Sequence, residues 1–378
     1  MTQGTQLNSG TGKYRVSILA ESAKNAKNTV HCIRPLDDSR WNEFVERHPH
    51  SSIFHSVEWL RALRLTYGYE PIVITTSPSG IALRNGLVLC RVNSWLTGRR
   101  LVSLPFSDHC EPLLDEREDF DAFTSTMETQ LDLEKLLYIE IRPTRPLAFT
   151  GSLSCSTCEH YFHKIDLAPD LETLFSNCHK NSTQRKIRRA EREGLVYEDG
   201  RSKRLLDIFY RLLVLTRRRH HLPPQPIKWF ENLIDCLGES AKIRVALKDR
   251  QPVASILTLQ YKDTLLYKYG CSDVRFNQLG GTHLLLWRSI EEAKARKLRV
   301  MDLGRSECEN TGLVTFKDRW GGNRSVLTYF RFAAPATSRG HFVPADADWK
   351  QRAVRRVVPV LPDRILCALG NVIYKHLG

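Results

Sequence analysis

Long apolar runs are missing from this chain. No stretch of 18 or more apolar residues occurs in its 378, so no membrane-spanning helix is expected. The opening, MTQGTQLNSGTGKY, is polar and has no hydrophobic core of the kind a secretion signal carries. The protein is therefore expected in the cytoplasm. There the ten cysteines read as reduced thiols that behave as small hydrophobes. Cys155 and Cys158 form a CxxC, but no second pair stands at zinc-site spacing, so the two read as incidental thiols on a loop and no metal is expected. Nucleophile-elbow, P-loop, metalloprotease and kinase motifs are absent as well. Acidic residues are too few to balance the basic ones. The net charge of +14 favours an anionic partner: nucleic acid, acidic lipid or a phosphorylated substrate.

What is there reads as a mixed α/β chain in two units. Residues 1–27 are polar and expected to be disordered. A first unit spans 28–155. Its helices are DDSRWNEFVERH, capped at Asp38 or Ser39, and SVEWLRALRLTYG, capped at Ser56 and stopped at Gly68. Strands follow in PIVITT, IALR, LVLCRV and LVSLPF, then a helix over 118–133 and the strand LYIEIRP. A second unit spans 156–335. It repeats the plan: helices, a three-strand meander turning at Asp249-Arg250 and Lys262-Asp263, the helix GTHLLLWRSIEEAKARK, and the strand RVMDLG. The halves look like diverged copies of one α+β unit. A tail over 336–378 is basic at Lys350, Arg352, Arg355 and Arg356. Its end places Ile365, Leu366, Leu369, Val372, Ile373 and Leu377 along one helical face. That helix either docks on the protein's own core or lies on a membrane surface.

Five features carry possible chemistry. In NSTQRKIRRAEREG, Arg185, Arg188, Arg189 and Arg192 share one helical face, with Thr183, Ile187 and Ala190 opposite. A row of guanidiniums suits phosphate, and it suits a solvated face tempered by Glu191 and Glu193 equally well. Arg219 ends the long helix in TRRRHH, where basic residues favour the helix dipole in any case. In NQLGGTHLLLW, Gln278, Gly280 and Gly281 join a strand to a helix, a turn that can aim backbone N–H groups at phosphate. Asp108 and Asp302 both lie at strand ends, where catalytic carboxylates and ordinary turn residues are both found. Finally, NTGLVTFKDRWGG reads as a short helix with Leu313, Phe316 and Trp320 on its apolar face and Lys317 at the edge of that face.

Together, SSIFHSVEWLRALRLTYGYEP, KNSTQRKIRRAEREGL and GLVTFKDRWGG resemble the signature segments of the Fem-type aminoacyl and acyl transferases, including the acetyltransferase branch linked to polysaccharide synthesis. The resemblance covers roughly residues 30–335. It implies two tandem GNAT-fold domains and transfer of an acyl group from an activated donor to an amine. It implies acyl-CoA as donor in one branch. In the other it implies aminoacyl-tRNA, with a lipid- or nucleotide-linked muropeptide as acceptor. Lys317 matches the family lysine and Arg219 the arginine after the long helix. On this reading Lys317, held by Phe316 and Trp320 at a cleft rim, stabilises the oxyanion, Asp108 or Asp302 takes the amine proton, and Arg185 and Arg188 hold phosphates. The acceptor is expected to be an amine of a cell-envelope or exopolysaccharide precursor. Two departures stand out: the coiled-coil arm of some relatives is missing, and His283 occupies a small-residue position of the GNAT pyrophosphate turn. The rivals are a basic RNA-binding protein, which predicts steeply salt-dependent binding without acyl transfer, and a non-catalytic membrane-associated scaffold.

Overall fold

A computed structural model describes residues 29–114, 117–147, 153–333 and 361–377. In chain order the first unit runs β1 (His31–Ile33), α1 (Ser39–Arg47), α2 (Val57–Tyr67), β2 (Glu70–Thr75), β3 (Leu87–Ser94), β4 (Gly98–Val102), α3 (Arg117–Leu133), β5 (Tyr138–Ile141) and β6 (Ser154–Asp166). The second runs α4 (Leu171–Asn177), a π-helical turn at Lys180–Gln184, α5 (Arg185–Arg192), β7 (Val196–Gly200), α6 (Lys203–Arg219), α7 (Ile227–Leu237), β8 (Ala241–Lys248), β9 (Gln251–Tyr261), β10 (Thr264–Ser272), α8 (Gly281–Ala295), β11 (Val300–Glu307), α9 (Thr311–Asp318) and β12 (Asn323–Ala333). After residue 360 comes α10 (Asp363–Ile373).

Local chemistry sets the boundaries. The Asp38 carboxylate accepts from the Arg40 amide, Ser56 accepts from the Trp59 amide, and Gly68 closes α2 at φ 71°. The meander turns need left-handed backbone at Asp249, Arg250 and Lys262, which is the conformation of tight hairpins. The segment IALR is not a strand. Arg40 reaches across and donates to the carbonyls of Pro78 and Ile81, both at 2.8 Å, taking up acceptors that a ladder would use. Cys155 and Cys158 lie on strand β6 rather than on a loop. The N-terminal residues 1–27 and the basic lead-in at Lys350, Arg352, Arg355 and Arg356 lie outside the described residues.

The described strands form one twelve-stranded sheet in the order β1-β2-β3-β4-β5-β12-β6-β11-β10-β9-β8-β7. Read inward from either edge, the order is the same: three antiparallel pairings, then a parallel pair reached through a crossover helix. That helix is α3 between β4 and β5, and α8 between β10 and β11. This is a tandem α+β repeat with a mostly antiparallel sheet. Counted by this repeat, β6 closes the first unit although the boundary expected at residue 155 falls near its start, and the units trade their last strands. β6, the end of the first, pairs with β11 of the second, while β12, the end of the second, pairs with β5 of the first. The two exchanged strands pair with each other from Asn323↔Lys164 to Ala333↔Ser154. On one face of the sheet a shared core joins Trp41, Trp59 and Leu63 to Phe209, Trp229 and Phe230. On the other face each unit has its own core, under α3 in one and under α5 and α8 in the other.

Candidate active site

The site begins with two faults in the sheet. β10 carries a bulge between Tyr267 and Tyr269, and β11 an irregularity between Asp302 and Arg305. Parallel pairing between these strands covers only 264–266 with 300–302. Beyond it the strands part, because β11 keeps its bonds to β6 while β10 keeps its bonds to β9. Gly304, at φ 72°, makes the turn of the β11 fault. A Cβ there would lie 3.3 Å from an Asp108 carboxylate oxygen, so any larger residue would crowd that carboxylate.

Charged side chains from both units converge on this gap. Lys268, at the β10 bulge, donates to Asp108 Oδ2 at 2.8 Å and sits over the rings of Phe54, Trp59 and Tyr269. Asp302 accepts from the Gly304 amide at 2.6 Å and lies 3.1 Å from His109 Nε2. Tyr329, on the exchanged strand β12, donates its hydroxyl to the Asp108 carbonyl at 2.5 Å. Burial works to raise the Asp108 carboxyl, but the Lys268 ammonium, with Arg305 and Lys317 beyond it, outweighs burial and holds the group below its ordinary value.

Lys317 completes the set. Its Nζ donates to the carbonyls of Gly304 at 2.9 Å and Arg305 at 2.8 Å, which leaves one N–H unused. The residue is 3% exposed. Burial pushes the ammonium down to about 8, against the pull of Asp108 and Asp302. The expected placement of this residue is corrected here. α9 buries Val314 and Lys317, and Trp320 follows them inward, while Leu313 and Phe316 are only half-buried. The lysine is part of the inward stripe and turns away from Phe316, toward the strand fault.

Phe316 instead lines a cleft of about 650 Å³ with His179, Arg185, Lys186, Thr311 and Arg319. Among the described residues no carboxylate lines it. Burial, then Arg319 and Arg185, lowers the Lys186 ammonium, as expected where cations crowd without counter-charge. A smaller pocket of about 190 Å³ shares Lys186, His283 and Phe316 with this cleft and extends to Gly280, Gly281, Thr282 and Ser272. Gly280 is left-handed at φ 80°, and a Cβ on it would meet the Lys186 carbonyl oxygen at 2.3 Å. Its smallness therefore admits this chain's own backbone. Gln278 is exposed and lines neither pocket. His283 fills the turn behind these glycines, stacked on Trp320 at 5.9 Å and edge-on to Phe316 at 5.3 Å. Burial, with Lys186 and Arg319, pushes it down to about 3.

Three further expected binding residues fall elsewhere. Arg188 points away from the cleft and covers the Phe175 ring. Arg219 is exposed and lines no described pocket of this region. Trp320 is 1% exposed, a core residue with no face toward the cleft. Lys186, Arg319 and Lys268 were not among the residues singled out from sequence. Lys186 and Arg319 sit in basic surroundings that single out no one charge. Lys268, flanked by tyrosines in TLLYKYGC, gives only the weak signal of a cation inside a strand.

A tandem repeat, splayed parallel strands at the junction, and a helix opening beside the gap together define the fold. The sequence profile of the acetyltransferase (GNAT) domain matches residues 178–317. A UDP-N-acetylmuramoylpentapeptide-lysine N(6)-alanyltransferase from Weissella viridescens is 26% identical over 152 residues. The crystal structure of FemX superposes with a TM-score of 0.59, at 15% identity, over 77% of this chain and 95% of its own. Residues 178–317 thus carry a GNAT acyltransferase domain, and the chain resembles the Fem-type transferases in sequence and in fold. A tandem GNAT protein from the clavulanic acid biosynthesis pathway shares the fold at TM-score 0.51 and 11% identity, over 81% of this chain and 98% of its own. The Weissella alignment covers 39% of this chain and 45% of the relative, so the chain spans less than half the length of that relative.

Proposed function

We propose that this chain works as a Fem-type enzyme and transfers an aminoacyl group from the ribose ester of a charged tRNA to a primary amine of a muramoyl-peptide precursor. The observation that carries acyl transfer is the buried set Asp108, Lys268 and Lys317 at the fork of β10 and β11. In this reading the acceptor amine, as the free base, attacks the ester carbonyl. The C–N bond forms, the carbonyl becomes an oxyanion, and the remaining N–H of Lys317 supports that charge. Collapse breaks the C–O bond, and the amine's surplus proton ends on the departing ribose oxygen. Asp108, kept ionised by Lys268, orients the attacking N–H. Its lowered pKa makes it a poor base, so the leaving oxygen is the final proton acceptor.

Two features favour tRNA over acyl-CoA as donor. The wide cleft offers Arg185, Lys186 and Arg319 without an acidic residue, which suits a phosphate backbone. The Gly280 turn, where a coenzyme pyrophosphate would need close approach, is met by the Lys186 carbonyl. The Weissella relative, whose name gives a muramoyl-pentapeptide lysine as acceptor, supports the acceptor class. The test supplies charged tRNA or acetyl-CoA with a UDP-muramoyl-pentapeptide and follows product mass. An aminoacyl adduct from charged tRNA is expected. An acetyl adduct alone would return the chain to the acyl-CoA branch and to an exopolysaccharide or other amine acceptor.

A further inference from the structure

The C-terminal helix uses only one of its faces. Leu366 packs on Val214, and Gly370 lies so close to the Pro224 carbonyl that a Cβ would meet it at 2.0 Å. Tyr374 donates to the Pro223 carbonyl at 3.2 Å. Tyr69 donates to the carbonyls of Tyr374 and Lys375, while Thr97 and Arg100 donate to that of His376. The helix is thus pinned to both units. Its outer face shows Ile365 and Val372, followed by Leu377, all more than half exposed.

The tip of the β3–β4 hairpin adjoins the end of this helix. Ser94 lies 3.1 Å from His376 Nδ1, and the Trp95 ring packs edge-on to the His376 ring at 5.4 Å. Yet Trp95 is 83% exposed and Leu96 55%, and among the described residues Trp95 is the most exposed large apolar side chain. Two apolar residues at a hairpin tip, beside an apolar helix face, form a surface that a lone water-soluble domain has no use for. Exposed Arg99, Arg364 and Lys375 flank it, and its acid, Asp363, is already held by Arg218 at 2.5 Å.

We propose that this surface, the Trp95–Leu96 tip with the outer face of α10, docks on an anionic phospholipid bilayer. Trp is suited to the interface, with its ring among acyl chains and its N–H in the headgroup layer. Arg99, Arg364 and Lys375 meet the anionic headgroups, so attachment weakens as salt rises. The proposal is independent of which acyl group is transferred.

The test is flotation of the full chain with phosphatidylcholine vesicles that contain or lack phosphatidylglycerol, at low and high salt. The protein is expected to float with the anionic vesicles at low salt. Brominated lipid is expected to quench wild-type tryptophan emission more than that of Trp95→Ser. The pair Trp95→Ser with Leu96→Ser should lower partitioning roughly tenfold or more, since two buried apolar side chains are lost. Val372→Ser, on the helix's outer face, is the second variant and should weaken binding with an unchanged melting curve. Failure of the wild type to float overturns the proposal. Equal flotation of wild type and tip variant overturns it too, since bulk positive charge then explains binding. So does a self-associated species that the tip substitutions dissolve, which would assign the surface to a second copy of the chain.

Discussion

Lys317 resolves a conflict between residue and environment. A buried ammonium is costly unless paired or used, and this one is anchored by the two carbonyls released at the β11 fault, with Asp108 and Asp302 near enough to pull its pKa upward. If it supports the oxyanion, Lys317→Met should lower kcat on the order of 10²–10³ with KM little changed, read by steady-state kinetics. Because Lys317 is pushed down to about 8, its charge is lost as pH rises through that value. The rate should therefore fall on the alkaline side, and Lys317→Arg, which keeps its charge, should move that limb upward if the fold accepts the larger head. Unchanged turnover in a well-folded Lys317→Met would leave the lysine as a fastener of the fault. Asp108→Asn should also lower kcat. It leaves Lys268 buried beside a neutral amide, so a lower melting temperature is expected as well.

At the scale of elements, α5 separates two kinds of arginine that share one helical face. Arg185 lines the cationic cleft, whereas Arg188 covers Phe175. Charge reversal at Arg185 should raise the donor KM with little effect on melting, since exposed ion pairs contribute only ~0–1 kcal/mol. Reversal at Arg188 should leave KM near wild type. Equal KM shifts would show that the helix acts as a diffuse electrostatic face. Gly280→Ala is a sharper probe of the neighbouring turn. The left-handed backbone and the Lys186 carbonyl both oppose a methyl there, so a loss on the order of 1–3 kcal/mol is expected, read as a lowered unfolding midpoint.

At the scale of the whole molecule, strand exchange ties the units together. A fragment holding residues 154–333 would leave β12 without β5 and half of the shared core without Trp41, Trp59 and Leu63. Expressed alone, it is expected to run as aggregate on size exclusion; a monodisperse monomer would show that the second unit, supplied with β6, folds without the rest of the first. Acid stability follows from two buried histidines. His55, pushed down to about 4, and His283, to about 3, both fold with values below that of an exposed imidazole, about 6.5. Between those limits the unfolded chain binds protons that the folded chain refuses, so stability falls as pH drops below about 6.5. Melting curves from pH 7 to 4 should show this decline, shallower in His283→Gln.

Periodicity and capping were enough to read the repeated plan, because helix stripes, Asp38 and Ser56 caps, and the Asp249-Arg250 turn are local matters decided by neighbours in sequence. The basic helix and its inward Thr183, Ile187 and Ala190 were legible for the same reason, and Lys317 stood out through its motif. Its direction was not. The 313–316–320 and 314–317–320 stripes differ by one step around a short helix, and only the free carbonyls of Gly304 and Arg305 select the second. Lys268 meets Asp108 across 160 residues, and β12 reaches β5 across the junction. Such pairings depend on which strand ends up beside which. The sequence determined the elements and the family resemblance; the exchange of β6 and β12 decided that carboxylates and lysines from two units would share one buried fork, because no local pattern encodes a partner that far along the chain.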